Sequence, residues 1–299
     1  MCRLLPVPWR WRARNEREGV TEILVVANET LGGRRLRELL AQKAKIEPSL
    51  SIRLVIPQSR PRRGSVIYVQ SVRDTAQVRL DLAIALLNEL GFEASGEVGD
   101  SDPFSATMDA IGERKPDEIV ISTLPATASG WLRRDLVERV AEASGIAVQH
   151  VINELDEDDP PPNDTTLVVA NRTASSTELN ARLLELSHEN GSEHLFIVVV
   201  PALGTDGRAM AAAQEHLAEV LASLRASGLL VAGLVGDPDP FTATMNALQF
   251  FRVSRVVIST LPETKSGWLR SDLIERVRRY AACPVEHVTA GATDAVATG

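Results

Sequence analysis

Short, predominantly apolar runs alternate along this chain with longer segments whose apolar residues recur every three to four positions. In the first half the runs are Ile23 to Ala27, Ile52 to Ile56, Phe92 to Val98, Ile119 to Ser122 and Ala147 to Ile152, each closed by Asn, Pro, Gly or Ser/Thr. Between them, Leu36 to Lys45, Val78 to Leu90, a segment opening near Asp102, and Ser129 to Ala143 are predicted helices. Leu36, Leu39, Leu40 and Ala44 share one face of the first. Gln58 to Gln77, with its basic SRPRRGS at 59 to 65, reads mostly as loop. Strands that are apolar throughout, rather than alternately, belong to a sheet buried on both faces. The order βαβαβαβαβ therefore predicts an α/β fold with a parallel sheet between two helical layers.

The second half spells the pattern again. IVISTLPATASGWLRR at 119 to 134 returns as VVISTLPETKSGWLRS at 256 to 271, GDSDPF at 99 to 104 as GDPDPF at 236 to 241, and ILVVANET at 23 to 30 as TLVVANRT at 166 to 173. Three blocks in the same order mean a duplicated domain. The organisation predicted is a basic head expected to be disordered (1–20), a first domain (21–153), an acidic, proline-rich linker (154–164), a second domain (165–290) and a small polar tail, also expected to be disordered (291–299). The stretch between the second strand and the second helix is shorter in the second copy, which marks it as surface.

A formal charge of -8 on an ordinary composition, 44% hydrophobic and 24% charged, gives no sign of a polybasic nucleic-acid binder. Two cysteines, Cys2 and Cys283, exclude a disulfide framework. No apolar run approaches the roughly 20 residues that span a bilayer. The head carries Trp9 and Trp11 among arginines but has no sustained apolar core and no small-residue cleavage site, so the expectation is a cytoplasmic protein without membrane attachment.

The retained blocks fall at strand ends: Asn28 and Asn171 after the first, Gly99-Asp100 and Gly236-Asp237 after the third, Ser122-Thr123 and Ser259-Thr260 after the fourth. In open α/β sheets that edge, at the point where strand order reverses, is where ligands bind. The loop after strand four adds Thr127, Ser129, Gly130 and Arg133, with counterparts Thr264, Ser266, Gly267 and Arg270, which offer hydroxyls, close backbone approach and charge to an anion. An equally open reading makes Ser129 and Ser266 plain helix caps.

These features, with CPVEHV at 283 to 288 following the last helix, resemble the universal stress protein family, and two copies resemble its tandem members. The resemblance implies two Rossmann-like domains, each a five-stranded parallel sheet of order 3-2-1-4-5 with helices on both faces. It also implies an adenine nucleotide, ATP or AMP, in the crevice between strands one and four, an intramolecular pseudo-dimer formed through the last strands, and the capacity to homodimerise. The family's nucleotide binders carry Asp after strand one and a glycine-rich loop after strand four. Here Asn28 and Asn171 stand at the first position, the loops read STLPATASG and STLPETKSG, and the family's later Gly-Ser/Thr pair falls on Arg134-Asp135 and Ser271-Asp272.

Trp131 and Trp268 open the fourth helix of each copy and are candidate interface residues. Asp100 and Asp102, with Asp237 and Asp239, supply two oxygen ligands per copy, too few for a metal cage and better suited to helix capping. His150 and His287 match in strand five without an identifiable nucleophile, so no catalytic residue is assigned. The function expected is that of a non-enzymatic, ligand-responsive stress or regulatory protein that binds a nucleotide or other small anion. The alternative is a protein-interaction module with no small-molecule ligand.

Overall fold

A computed structural model of the chain describes residues 20–59, 69–125, 135–153, 164–189, 193–262, 268 and 272–291. The first half runs Thr21–Val26 (β1), Arg34–Ile46 (α1), Leu50–Pro57 (β2), Val69–Glu89 (α2), Glu93–Gly99 (β3), Pro103–Glu113 (α3), Glu118–Thr123 (β4), Leu136–Ser144 (α4) and Val148–Ile152 (β5). The second runs Asp164–Val169 (β6), Thr177–His188 (α5), His194–Pro201 (β7), Gly207–Ala226 (α6), Leu230–Gly236 (β8), Pro240–Phe250 (α7), Arg255–Thr260 (β9), Leu273–Tyr280 (α8) and Val285–Thr289 (β10). Each half forms one five-stranded parallel sheet, ordered β3-β2-β1-β4-β5 and β8-β7-β6-β9-β10. Both copies thus take the order 3-2-1-4-5, and the fold is two tandem Rossmann-like domains. The head, most of the linker, the tail and the loops after strand four lie outside the described residues.

The central strands of each sheet are largely apolar because each face meets its own pair of helices. In the first half Val25, Leu54 and Val120 pack beneath Leu36 and Leu40 of α1 and Ala76, Leu80 and Leu87 of α2. The opposite face, with Leu24, Val26 and Ile121, packs beneath Ala106 and Ala110 of α3 and Leu136 and Val140 of α4. In the second half α5 and α6 cover Val168, Phe196 and Val198, and α7 and α8 cover Leu167, Val169 and Ile258.

Helix α2 departs from the sequence expectation twice. It starts at Val69, so residues 69–77 are helical rather than loop. Thr75 and Ala76 are fully buried there, against a run of polar neighbours that hides the periodicity. It is also apolar on two sides. While Leu80, Ala83 and Leu87 face their own sheet, Val78, Leu82 and Leu86 join the core of the second half beside Leu195, Ile197 and Ala232. The two halves accordingly meet through α2. The last strands, β5 and β10, sit at the edges of separate sheets and do not pair with each other.

The contact has no mirror image. Aligned on Gly91 and Gly228, which both adopt positive φ just past their helices, Val78, Leu82 and Leu86 correspond to Glu215, Glu219 and Ser223 of α6, all exposed. On the receiving side, Leu195 and Ile197 of β7 correspond to Ser51 and Arg53 of β2. Arg53 is buried, with Nε 2.9 Å from Glu22 Oε1 and a terminal nitrogen donating to Ala110 O at 2.8 Å. Glu22 also pairs with Arg114. Where the second half is apolar and covered, the first is charged and self-sufficient.

Candidate functional site

At the carboxyl end of the first sheet the polar side chains are bonded to one another. Asn28, leaving β1, donates through Nδ2 to Pro57 O at 2.7 Å and Ser59 Oγ at 2.9 Å, and its Oδ1 accepts from an Arg79 terminal nitrogen at 2.8 Å. The other terminal nitrogen of Arg79 donates to Phe250 O of the second half at 2.6 Å, and the guanidinium lies 5.6 Å from the centre of the Phe251 ring. Across the switch point, Ser122 Oγ donates to Thr30 Oγ1 at 2.8 Å and accepts from Asn153 Nδ2 at 2.9 Å, while Thr30 Oγ1 donates to Ser122 O at 3.0 Å. Gly33 makes room for this, since a Cβ there would come within 2.3 Å of Asn153 Oδ1. Asn28 and Ser122 are 7% and 1% exposed. A cavity of about 130 Å³ between the halves is lined by Asn28, Arg79, Leu82 and Phe251.

The second copy uses the same backbone with different side chains. Asn171 donates to Pro201 O at 2.6 Å, and its backbone oxygen accepts from His216 Nε2 at 3.0 Å, which places the imidazole proton on Nε2. Its Oδ1 accepts no bond among the described residues. His216 occupies the helix position of Arg79, and Leu203 that of Ser59. In place of a closed network there is a pocket of about 470 Å³ walled by Asn171, Arg172, Pro201, Leu203, Arg208 and His216. Arg172 and Arg208 are exposed and form no ion pair among the described residues. Leu203, 81% exposed, gives an apolar rim. The volume suits a small organic ligand; Arg172 and Arg208 favour an anionic one, while Asp206, which also lines the pocket, caps α6 by accepting from Ala209 N at 2.8 Å and places one negative charge at the same end.

Deeper in the second copy one hydroxyl is stranded. Thr173 Oγ1 donates to Ser259 O at 3.0 Å as in the first copy, but Asn153 has become Ala290, and Ser259 Oγ, 1% exposed, has no hydrogen-bond partner among the described residues. Gly33 has simultaneously become Ser176, whose Oγ caps α5 by accepting from Leu179 N at 3.2 Å. The two changes exchange side-chain volume across the same gap.

The other retained residues have local tasks. Gly99 and Gly236 lie under helices: an added Cβ would approach Ala106 Cβ to 2.6 Å and Ala243 Cβ to 2.7 Å. Asp100 and Asp237 accept from the backbone N of Asp102 and Asp239 at 2.8 and 2.9 Å. Those two then cap α3 and α7, accepting from Ser105 N at 3.0 Å and Thr242 N at 2.9 Å, with Pro103 and Pro240 in the first turn. Thr123 and Thr260 bond to His150 and His287 at 2.9 and 2.8 Å. Burial pushes both imidazoles below their usual pKa, with Glu138 opposing the shift at His150 and Arg278 adding to it at His287.

Thr127, Ser129, Gly130, Arg133 and Trp131, and in the second copy Thr264, Ser266, Gly267 and Arg270, lie outside the described residues. Trp268 is half-buried and packs against the core beneath α7 and α8. Helices α4 and α8 start from Asp135 and Asp272, both left-handed (φ 49° and 51°) and neither making a side-chain cap. The sequence reading passed over Arg79, His216, Arg172, Arg208 and Asn153. A comparison of the copies anchored on Gly91 and Gly228 exposes the first two as polar residues in register inside drifted helices.

No family model matches this chain, and no characterised protein matches it in sequence. Among solved structures it is similar to a universal stress protein of Archaeoglobus fulgidus, with 16% identity over 90% of this chain and 97% of that one and a TM-score of 0.32. It is also similar to a protein of Pseudomonas aeruginosa described as a universal stress protein, with 15% identity over 90% of this chain and 94% of that one and the same TM-score. Neither likeness carries functional weight, and the fold rests on the strand order of the two sheets.

Proposed function

We propose that this chain is a tandem universal-stress-protein-like binding protein of the cytoplasm, acting as a ligand-responsive stress or regulatory factor rather than an enzyme. Its ligand is a small organic anion, an adenine nucleotide such as ATP or AMP being the leading class. The observation that carries this is the pocket of about 470 Å³ at the carboxyl ends of β6 and β7, where Asn171, His216, Arg172 and Arg208 converge. The unbonded Oδ1 of Asn171 suits a donor such as an exocyclic amine or ribose hydroxyl. The apolar rim of Val200, Pro201 and Leu203 suits a planar base, and the arginines suit phosphate.

Isothermal calorimetry of the full chain with ATP, AMP and cyclic AMP at millimolar concentration tests this. The expected result is saturable heat with at least one of them, weakened about tenfold or more when Arg172 and Arg208 are both replaced by Ala. Silence with all three removes the nucleotide reading.

A further inference from the structure

The duplicated sheets suggest two equivalent sites, yet the positions that decide the matter have been exchanged between copies. In the second, Asn171 Oδ1 accepts no bond among the described residues and a pocket of about 470 Å³ stands open beside it. In the first, Asn28 Oδ1 is capped by Arg79 at 2.8 Å and Ser122 Oγ by Asn153 at 2.9 Å. Arg79 reaches onward to Phe250 O and lies over Phe251. The amide oxygen that a ligand would meet in the second copy is thus satisfied in the first by the chain itself.

We infer that the protein carries one ligand site per chain, in the second copy, and that the first copy's site has become an interdomain latch in which the Arg79 guanidinium takes the place of a ligand. This rests on the anion-binding reading of the second pocket. Arg79 bonds to Asn28 and to the end of α7 at once, so the former binding position of one half holds the other half in place. His216, at the matching position, turns instead to the backbone oxygen of Asn171 and leaves the amide oxygen to an incoming donor. Asn28 and Asn171, identical in sequence and in backbone setting, therefore have different tasks: the first orients Arg79, the second reads the ligand.

Native mass spectrometry and calorimetry with ATP and AMP count the sites, and hydrogen exchange reads the latch. The expected stoichiometry is one nucleotide per chain. Asn171→Ala and His216→Ala should each weaken binding about tenfold or more, whereas Asn28→Ala, or the milder Asn28→Ser, leaves affinity within about twofold. Arg79→Ala should leave affinity within about twofold while speeding exchange about tenfold or more at residues 250–252 and in α2. Two nucleotides per chain, or binding lost with Asn28 and indifferent to Asn171, overturns the single-site inference and leaves the ligand reading standing. Unchanged exchange in Arg79→Ala overturns the latch alone. Absence of binding by the unmodified chain overturns the ligand reading and the site count together, with the exchange experiment still deciding the latch.

Discussion

Replacing Leu82 by Glu copies into α2 the residue that α6 carries at the matching position, Glu219, and should uncouple the halves without unfolding either. Val78, Leu82 and Leu86 are 1%, 7% and 3% exposed. At about 1.5–3 kcal/mol for burying each such side chain, the stripe contributes a gross docking term of about 5–9 kcal/mol, an upper figure because the separated halves can partly cover it. Leu82→Ala alone should remove about 2–5 kcal/mol. Glu adds an unpaired carboxylate beside Leu195 and Ile197, which water solvates only if α2 lifts away. Hydrogen exchange by mass spectrometry is the assay. Amides in β8 and at the end of α7 should exchange roughly 30- to 5,000-fold faster, the range that corresponds to about 2–5 kcal/mol of lost protection. Peptides of β1 and β4 should be unaffected, and Glu219→Leu should shift stability by no more than about 0.5 kcal/mol. Unchanged β8 exchange, or protection lost from β1 and β4 instead, would show that Leu82 serves its own sheet and refute the two-sided account of α2.

Other outcomes follow from the exchanged side chains. Ser122→Ala should cost about 1–3 kcal/mol in urea unfolding because it takes the acceptor from the buried Asn153 Nδ2, whereas Ser259→Ala should be neutral or stabilising because that hydroxyl has no partner among the described residues. Ala290→Asn should be tolerated only together with Ser176→Gly, giving a favourable coupling of about 1–3 kcal/mol in a double-mutant cycle; simple additivity would refute the volume exchange. His194 bonds to Thr166 at 2.8 Å and stacks 4.6 Å from Phe196, and burial pushes its pKa below the usual value, with the charge of Asp164 opposing. The unfolded chain then binds a proton that the fold resists, so stability is fully present above about pH 7 and falls as pH drops below about 6.5. His194→Gln should flatten part of that slope in urea titrations at pH 7.5, 6.5 and 5.5, and an identical slope would count against the assignment.

The fold was legible because its determinants are local and repeated: apolar runs five to eight residues long, the Asp-Pro caps of α3 and α7, and glycines past the helices. The contact between halves was not. Periodicity analysis looks for one apolar face, and α2, carrying Leu80, Ala83 and Leu87 on one side and Val78, Leu82 and Leu86 on another, blurs the very contrast that the method needs. Of the candidate site, Asn28 and Asn171 are legible in the sequence because they follow strands that announce themselves. Identity between the copies, however, proved a guide to geometry more than to chemistry. Gly99 and Gly236 are retained because a helix passes too close for a side chain, and Asp100 and Asp102 because they build a turn and a cap. The chemistry that sets the copies apart lies at drifted positions, Arg79 against His216 and Asn153 against Ala290, where spacing alone offers no reason to look.

The joint through α2 is a head-to-tail contact: the outer side of one unit's second helix seats on the opposite sheet face of the next. A contact of that kind is not self-complementary: repeated between identical units it gives a ring where the rotation closes and an open filament where it does not. Here growth is stopped at both ends by chemistry already present. Glu215, Glu219 and Ser223 make the outgoing side of the second unit wettable, and Arg53, held by Glu22, fills the incoming side of the first with charge. The two described halves are in effect a two-link segment of such an assembly, with a polar or charged stopper on each outward side.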